Sequence, residues 1–255
     1  MRLNSIINTF LGKAIGVNLK RTKIRKVPMV QREPIFLELA GTSGVGKTTL
    51  YKNIFSKIKN NWFNVHEFRE ILKNVDYEII ESLPYYQELA QLKVKSVDSM
   101  NFSGINKMNL IAYFYSVLID DSLVHLYNKS YKVISEDGLI HNFSECFSSL
   151  SKSGKEAFAS TLKYRAIIYC HTTAEIVAER ILERQREIGQ LRPQHKVDSF
   201  QELILLQKKN LNSYGQFIDN LSKYNVPILS IDTSDPMHDN VQKAIEFMSK
   251  LTDKR

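Results

Sequence analysis

From residue 34 onward, short apolar runs alternate with stretches in which apolar residues recur every three or four positions. The runs at 35–40, 62–66, 131–136, 165–170 and 226–231 predict strands. The periodic stretches at 47–60, 69–82, 84–99, 105–129, 155–162, 173–188, 197–223 and 237–251 predict helices. Strands that are almost wholly apolar and separated by helices imply a parallel sheet covered on both faces, an α/β protein with three layers and five strands. The stretch 105–129 is apolar on most sides (Met108, Leu110, Ile111, Phe114, Val117, Leu118), which predicts deep burial. The stretch 197–223 carries one stripe, including Leu203, Ile204, Leu211, Tyr214 and Ile218, which predicts a core-facing helix. Ligands of such sheets bind beyond the carboxyl ends of the strands, so chemistry is expected just after positions 40, 66, 136 and 170.

The first of these places holds Gly41, Thr42, Ser43, Gly44, Val45, Gly46, Lys47 and Thr48, followed by Thr49. This fits G-x-x-x-x-G-K-[ST] between a strand and a helix, the context in which that pattern binds phosphate. Its glycines let the backbone approach a polyphosphate, whose charge then meets a row of N–H groups and a helix N-terminus. Lys47 can reach the β- and γ-phosphates, and the Thr48 hydroxyl can ligate Mg²⁺. The motif predicts a P-loop NTPase fold that uses ATP and Mg²⁺.

Residues 1–33 have a different character. Leu3, Ile6, Ile7, Phe10, Leu11, Ala14 and Ile15 follow helical spacing over 2–17, and a basic run, Lys20 to Lys26, follows. This part carries eight basic side chains and one acid, a net +7 of the chain's +8, so residues 34–255 are close to neutral. The body therefore gives no electrostatic case for nucleic acid. Packing of the extension on its own domain or on a second copy, as a homodimer, and peripheral docking on an anionic inner membrane surface through residues 1–30 all fit the pattern. A cleaved targeting segment fits poorly, because no A-x-A-like cleavage site is evident and the apolar residues are interrupted. Two cysteines, Cys146 in an expected helix and Cys170 in a strand, lack metal-ligand spacing. They read as buried thiols of a cytoplasmic protein.

Beyond the second strand stand Glu67, Arg69 and Glu70, where an acid can prepare an acceptor hydroxyl and Arg69 can hold an acceptor phosphate. Acids also favour the first turn of a helix for dipole reasons alone. Beyond the third strand stand Glu136 and Asp137, one suited to holding the metal and the other to acting as base, with His141 close by. A helix opened by Thr172-Thr173-Ala174-Glu175 carries Arg180, Arg184 and Arg186, with Arg192 beyond it. Guanidiniums of this kind neutralise spreading charge in phosphoryl transfer, although Glu183 and Glu187 also suit an exposed, ion-paired helix.

Taken together, Gly41–Thr48, Arg180-x-x-x-Arg184-x-Arg186 and Val226–Thr233 make residues 34–250 resemble the P-loop nucleoside and nucleotide kinases, the deoxynucleoside and thymidylate kinase group. The resemblance implies an α-helical LID bearing the three arginines, a base at Glu67 or Glu70, and an adenine site beside Asp232–Pro236. Such kinases usually end the third strand in an acid followed by arginine, where this chain has Glu136-Asp137. The expected function is a kinase moving the ATP γ-phosphoryl group to a small hydroxyl- or phosphate-bearing acceptor: a nucleoside, a nucleotide or a sugar-like metabolite. A nucleotide-dependent switch or adaptor acting through the N-terminal extension is the alternative.

Overall fold

The computed structural model describes residues 35–59, 61–72, 85–127, 131–188, 195 and 197–253. The predicted N-terminal helix and Arg192 lie outside these residues, as does most of the predicted helix 69–82. Five parallel strands, β1 (Ile35–Ala40), β2 (Phe63–Asn64), β3 (Lys132–Ser135), β4 (Arg165–His171) and β5 (Ile228–Asp232), form one sheet in the order β2-β3-β1-β4-β5. All five expected strands are present. The helices are α1 (Lys47–Ile58), α2 (Val65–Ile71), α3 (Tyr86–Asp98), α4 (Gly104–Tyr127), α5 (Leu139–Phe143), α6 (Lys152–Thr161), α7 (Ala174–Ile188), α8 (Phe200–Ser222) and α9 (Met237–Asp253).

Strand alternation sorts the two faces. From β1, Ile35, Leu37 and Leu39 enter a core shared with Leu50 and Ile54 of α1, Val177 and Ile181 of α7, and Val241 and Met248 of α9. On the opposite face Ala40 and Ile167 meet α3, α4, α5 and α6. There Phe147 stacks on Phe158 and on Phe217 of α8, with centroids 4.1 and 5.2 Å apart. A smaller cluster under β2 joins Phe36, Phe63, Phe68 and Val133. Every residue of β1 is buried, including the one charged residue, Glu38. Cys146 and Cys170 are buried free thiols, and Cys146 lies in a turn rather than in the expected helix.

Three further differences from expectation have local causes. β2 is only two residues long, because α2 starts at Val65 instead of 69. Asn64 accepts from the Glu67 N–H (2.8 Å) while the Glu67 carboxylate accepts from the Asn64 N–H (3.1 Å), a capping box. The helix α5 was not foreseen, since five residues are too few to display a period. Burial of α4 is confined to its second half, from Val117 to Val124, whereas Ile105 and Met108 near its start are 74% and 56% exposed. Among the described residues no helix is long and apolar enough to cross a membrane.

Candidate active site

Between β1 and α1 the chain makes a tight loop with positive φ at Gly41 (145°), Gly44 (85°) and Gly46 (102°). Gly41 has a second constraint: a Cβ there would lie 2.3 Å from the Cys170 carbonyl oxygen of β4. Lys47 opens α1 and is 8% exposed, with Nζ donating to the carbonyls of Gly41 (2.9 Å) and Thr42 (3.1 Å). Burial lowers its pKa to about 8; Asp137 and Glu136 oppose that shift and Arg184 adds to it. The loop thus presents a buried ammonium and a fixed backbone cradle. The Thr42 hydroxyl is buried without a hydrogen-bond partner among the described residues, as a donor awaiting an anion would be. Thr48 and Thr49 are exposed at the mouth.

The floor of the cradle is tied down from two other elements. Arg180 of α7 donates through one terminal nitrogen to the Val45 carbonyl (2.9 Å) and the Thr233 hydroxyl (2.9 Å), and through the other to the Thr233 carbonyl (3.0 Å). Thr233, just past β5, donates to Val45 O at 2.5 Å. Asn240 of α9 steadies that turn by donating to the carbonyls of Asp232 (2.7 Å) and Asp235 (3.3 Å). As anticipated, Thr173 caps α7, accepting from the Ile176 N–H (3.4 Å).

The arginines of α7 therefore part company. Arg180 is built into the loop's foundation, Arg184 acts electrostatically on Lys47, and Arg186 lines a surface groove with Glu179, Leu182, Glu183 and Phe200. His195, which sequence reasoning missed, is buried with Nε2 3.4 Å from the Ser43 hydroxyl of the loop. No spacing or pattern around it signals that contact.

Facing the cradle from β3 is the turn Glu136-Asp137-Gly138. Glu136 is half-buried, and its Oε2 is buried without a hydrogen-bond partner among the described residues. Asp137 is exposed, with Oδ1 4.0 Å from His141 Nε2. Tyr51 of α1 lies within electrostatic reach of both Glu136 and Glu67, and burial first, then these two charges, pushes its hydroxyl pKa up. Glu67 spends its carboxylate on the cap of α2, and Glu70 is exposed. Arg69 is ion-paired with Asp120 of α4 and reaches the Ser116 carbonyl (3.4 Å). Burial raises the Asp120 pKa to about 6 against the pull of Arg69.

Among the described residues no three His, Cys, Asp or Glu side chains gather into a metal site. A cation here would rest on one or two protein oxygens and on a ligand's own oxygens, which is the manner of Mg²⁺. The unpartnered Glu136 Oε2 and the exposed Thr48 hydroxyl fit that role.

Strand order, loop geometry and the Lys47 placement define a P-loop α/β/α fold. No protein-family model matches the chain, and no curated protein matches it in sequence. Solved structures do resemble it. Deoxyadenosine kinase from M. mycoides aligns with a TM-score of 0.46 at 13% identity, over 85% of this chain and 100% of that one. Shikimate kinase from Bacteroides thetaiotaomicron gives 0.42 at 15%, over 84% and 98%. A gluconokinase from Sinorhizobium meliloti 1021 gives 0.40 at 14%, over 88% and 96%.

Proposed function

We propose that this protein is an ATP-dependent kinase that transfers the γ-phosphoryl group to a hydroxyl- or phosphate-bearing small molecule. One observation carries the reading: a pre-formed phosphate cradle with a buried lysine stands opposite a carboxylate whose buried oxygen has no partner. The gap lies at the strand ends, which is where ligands bind on such sheets.

On nucleotide binding, Lys47 exchanges its two carbonyl partners for β- and γ-phosphate oxygens. The Thr42 hydroxyl and the loop N–H groups take up others. Glu136 and Thr48 would hold Mg²⁺, which when bound neutralises phosphate charge. Arg184 approaches the transferring group from α7 and stabilises charge that spreads in the transition state. Asp137, at the open rim, accepts the proton of the acceptor hydroxyl. Arg180 touches none of the reacting atoms; it holds the loop rigid so that the cradle needs little reorganisation when phosphate arrives.

The reading is tested by ADP release from ATP·Mg²⁺ against a panel of nucleosides, nucleotides, sugars and related hydroxy compounds. At least one acceptor is expected to raise turnover well above background, and Lys47→Ala to lower it about 100-fold or more. Background turnover with every acceptor, unchanged in Lys47→Ala, would end the proposal.

A further inference from the structure

Glu38 is the one charged residue of β1, three positions before the cradle begins, and it is completely buried. It points away from α1 toward α4 and α5, into a closed charge cluster. Arg165 of β4 donates to Glu38 Oε2 (2.7 Å) through one terminal nitrogen and to Asp121 Oδ1 of α4 (2.6 Å) through the other. The guanidinium also lies over the Phe36 ring, 4.7 Å from its centroid, and the Tyr85 hydroxyl donates to Asp121 Oδ2 (3.4 Å). A buried cluster of this kind is weak evidence for added stability, since well-packed apolar side chains serve as well or better.

The other oxygen of Glu38 does something different. Oε1 accepts the backbone N–H of His141 at 2.9 Å. His141 is the third residue of α5, and its N–H has no partner within the helix. The N-cap position is Gly138, which has no side chain to offer. Glu38 supplies the missing acceptor from the neighbouring strand, and it also occupies the space beside Gly138: a Cβ there would lie 2.3 Å from the Glu38 carboxyl carbon. Further side chains hold the rest of α5. Lys93 of α3 donates to the Asn142 carbonyl (2.5 Å), Tyr113 of α4 to Asn142 Oδ1 (3.2 Å), and Tyr214 of α8 to the Ile140 carbonyl (3.1 Å). The turn Glu136-Asp137 runs straight into this fixed point.

We infer that Glu38 is a positioning residue, a remote helix cap that sets the Glu136–Asp137 turn against the phosphate cradle. The inference rests on the proposed metal role of Glu136. It ties the strand that enters the P-loop to the turn that faces it, so both sides of the reacting centre share one buried carboxylate.

The test is the Mg²⁺ dependence of ATP binding, measured by calorimetry in EDTA and in excess Mg²⁺, which needs no acceptor. In the wild type Mg²⁺ is expected to tighten ATP binding. E38Q should lose that gain at least fivefold while its metal-free ATP affinity stays within twofold of wild type. G138A, which leaves every charge in place but drives a methyl group into the Glu38 carboxylate, should lose it likewise. D121N disturbs the same cluster without touching α5 and should keep it. The inference is overturned if E38Q and G138A both keep the full gain while E136Q loses it, or if D121N loses as much as E38Q. If E136Q keeps the gain, or the wild type shows none, the metal role of Glu136 goes and the inference goes with it.

Discussion

Arg180, Arg184 and Arg186 are chemically identical, and what separates them is where α7 carries each one. Arg186 comes about 200° further round the helix than Arg184 at 3.6 residues per turn, so its departure from the site was legible in the spacing. The role of Arg180 was not. Its partners Val45 and Thr233 stand 135 and 53 residues away in sequence, and only the folded sheet brings them together. If Arg180 and Thr233 act together on the Val45 carbonyl, their losses should not add. Arg180→Ala and Thr233→Ala are each expected to weaken ATP binding by about 1–2 kcal/mol, and the double variant by little more than the worse single one. Fully additive losses in a double-mutant cycle, or an Arg180→Ala enzyme with normal ATP affinity and only kcat reduced, would contradict this account.

At the scale of elements, strongly periodic or wholly apolar segments were readable: five strands, and the long helices α1, α4, α8 and α9. Their boundaries followed side-chain chemistry that a hydrophobic pattern does not carry. The start of α2 is a case where the signal was present in the letters, since Asn64 with Glu67 three residues on is a capping signature. Reading it would have moved Glu67 from the acceptor side to the helix start. The structure makes the distinction testable: Glu67→Ala is expected to cost about 1 kcal/mol of stability and to leave kcat within a few-fold of wild type. Glu136→Gln should leave stability nearly unchanged and remove most turnover. Equal losses of kcat in both variants would restore Glu67 as a candidate base. In α4 the apolar pattern overstates burial: Val117–Val124 lie in the core while Ile105 and Met108 do not.

Across the whole molecule, the strand order β2-β3-β1-β4-β5 places β1 at the centre, and with it the P-loop and Glu38. The P-loop could be recognised from eight consecutive letters; the Glu38–Arg165–Asp121 cluster could not, since its members lie on three elements. That cluster leaves a trace in global stability. Burial first, and then the Asp121 carboxylate, raise the Glu38 pKa from 4.5 to about 7, although Arg165 and the His141 N–H pull it down. The native state therefore binds more protons than the unfolded chain between those values, so this group's contribution to stability falls as pH rises through that window and is flat above it. Denaturant unfolding should show wild type losing on the order of 3 kcal/mol relative to E38Q between pH 4.5 and 8; parallel profiles for the two would refute it. The central claim is that a phosphoryl group moves from ATP to a small molecule, and ³¹P NMR of ATP·Mg²⁺ with the protein and a mixture of low-molecular-weight metabolites follows that group directly. A new phosphate resonance on a metabolite is expected to appear together with ADP, and to be absent with Lys47→Ala. ATP that stays intact, or that yields only ADP and inorganic phosphate whatever metabolite is present, would contradict it.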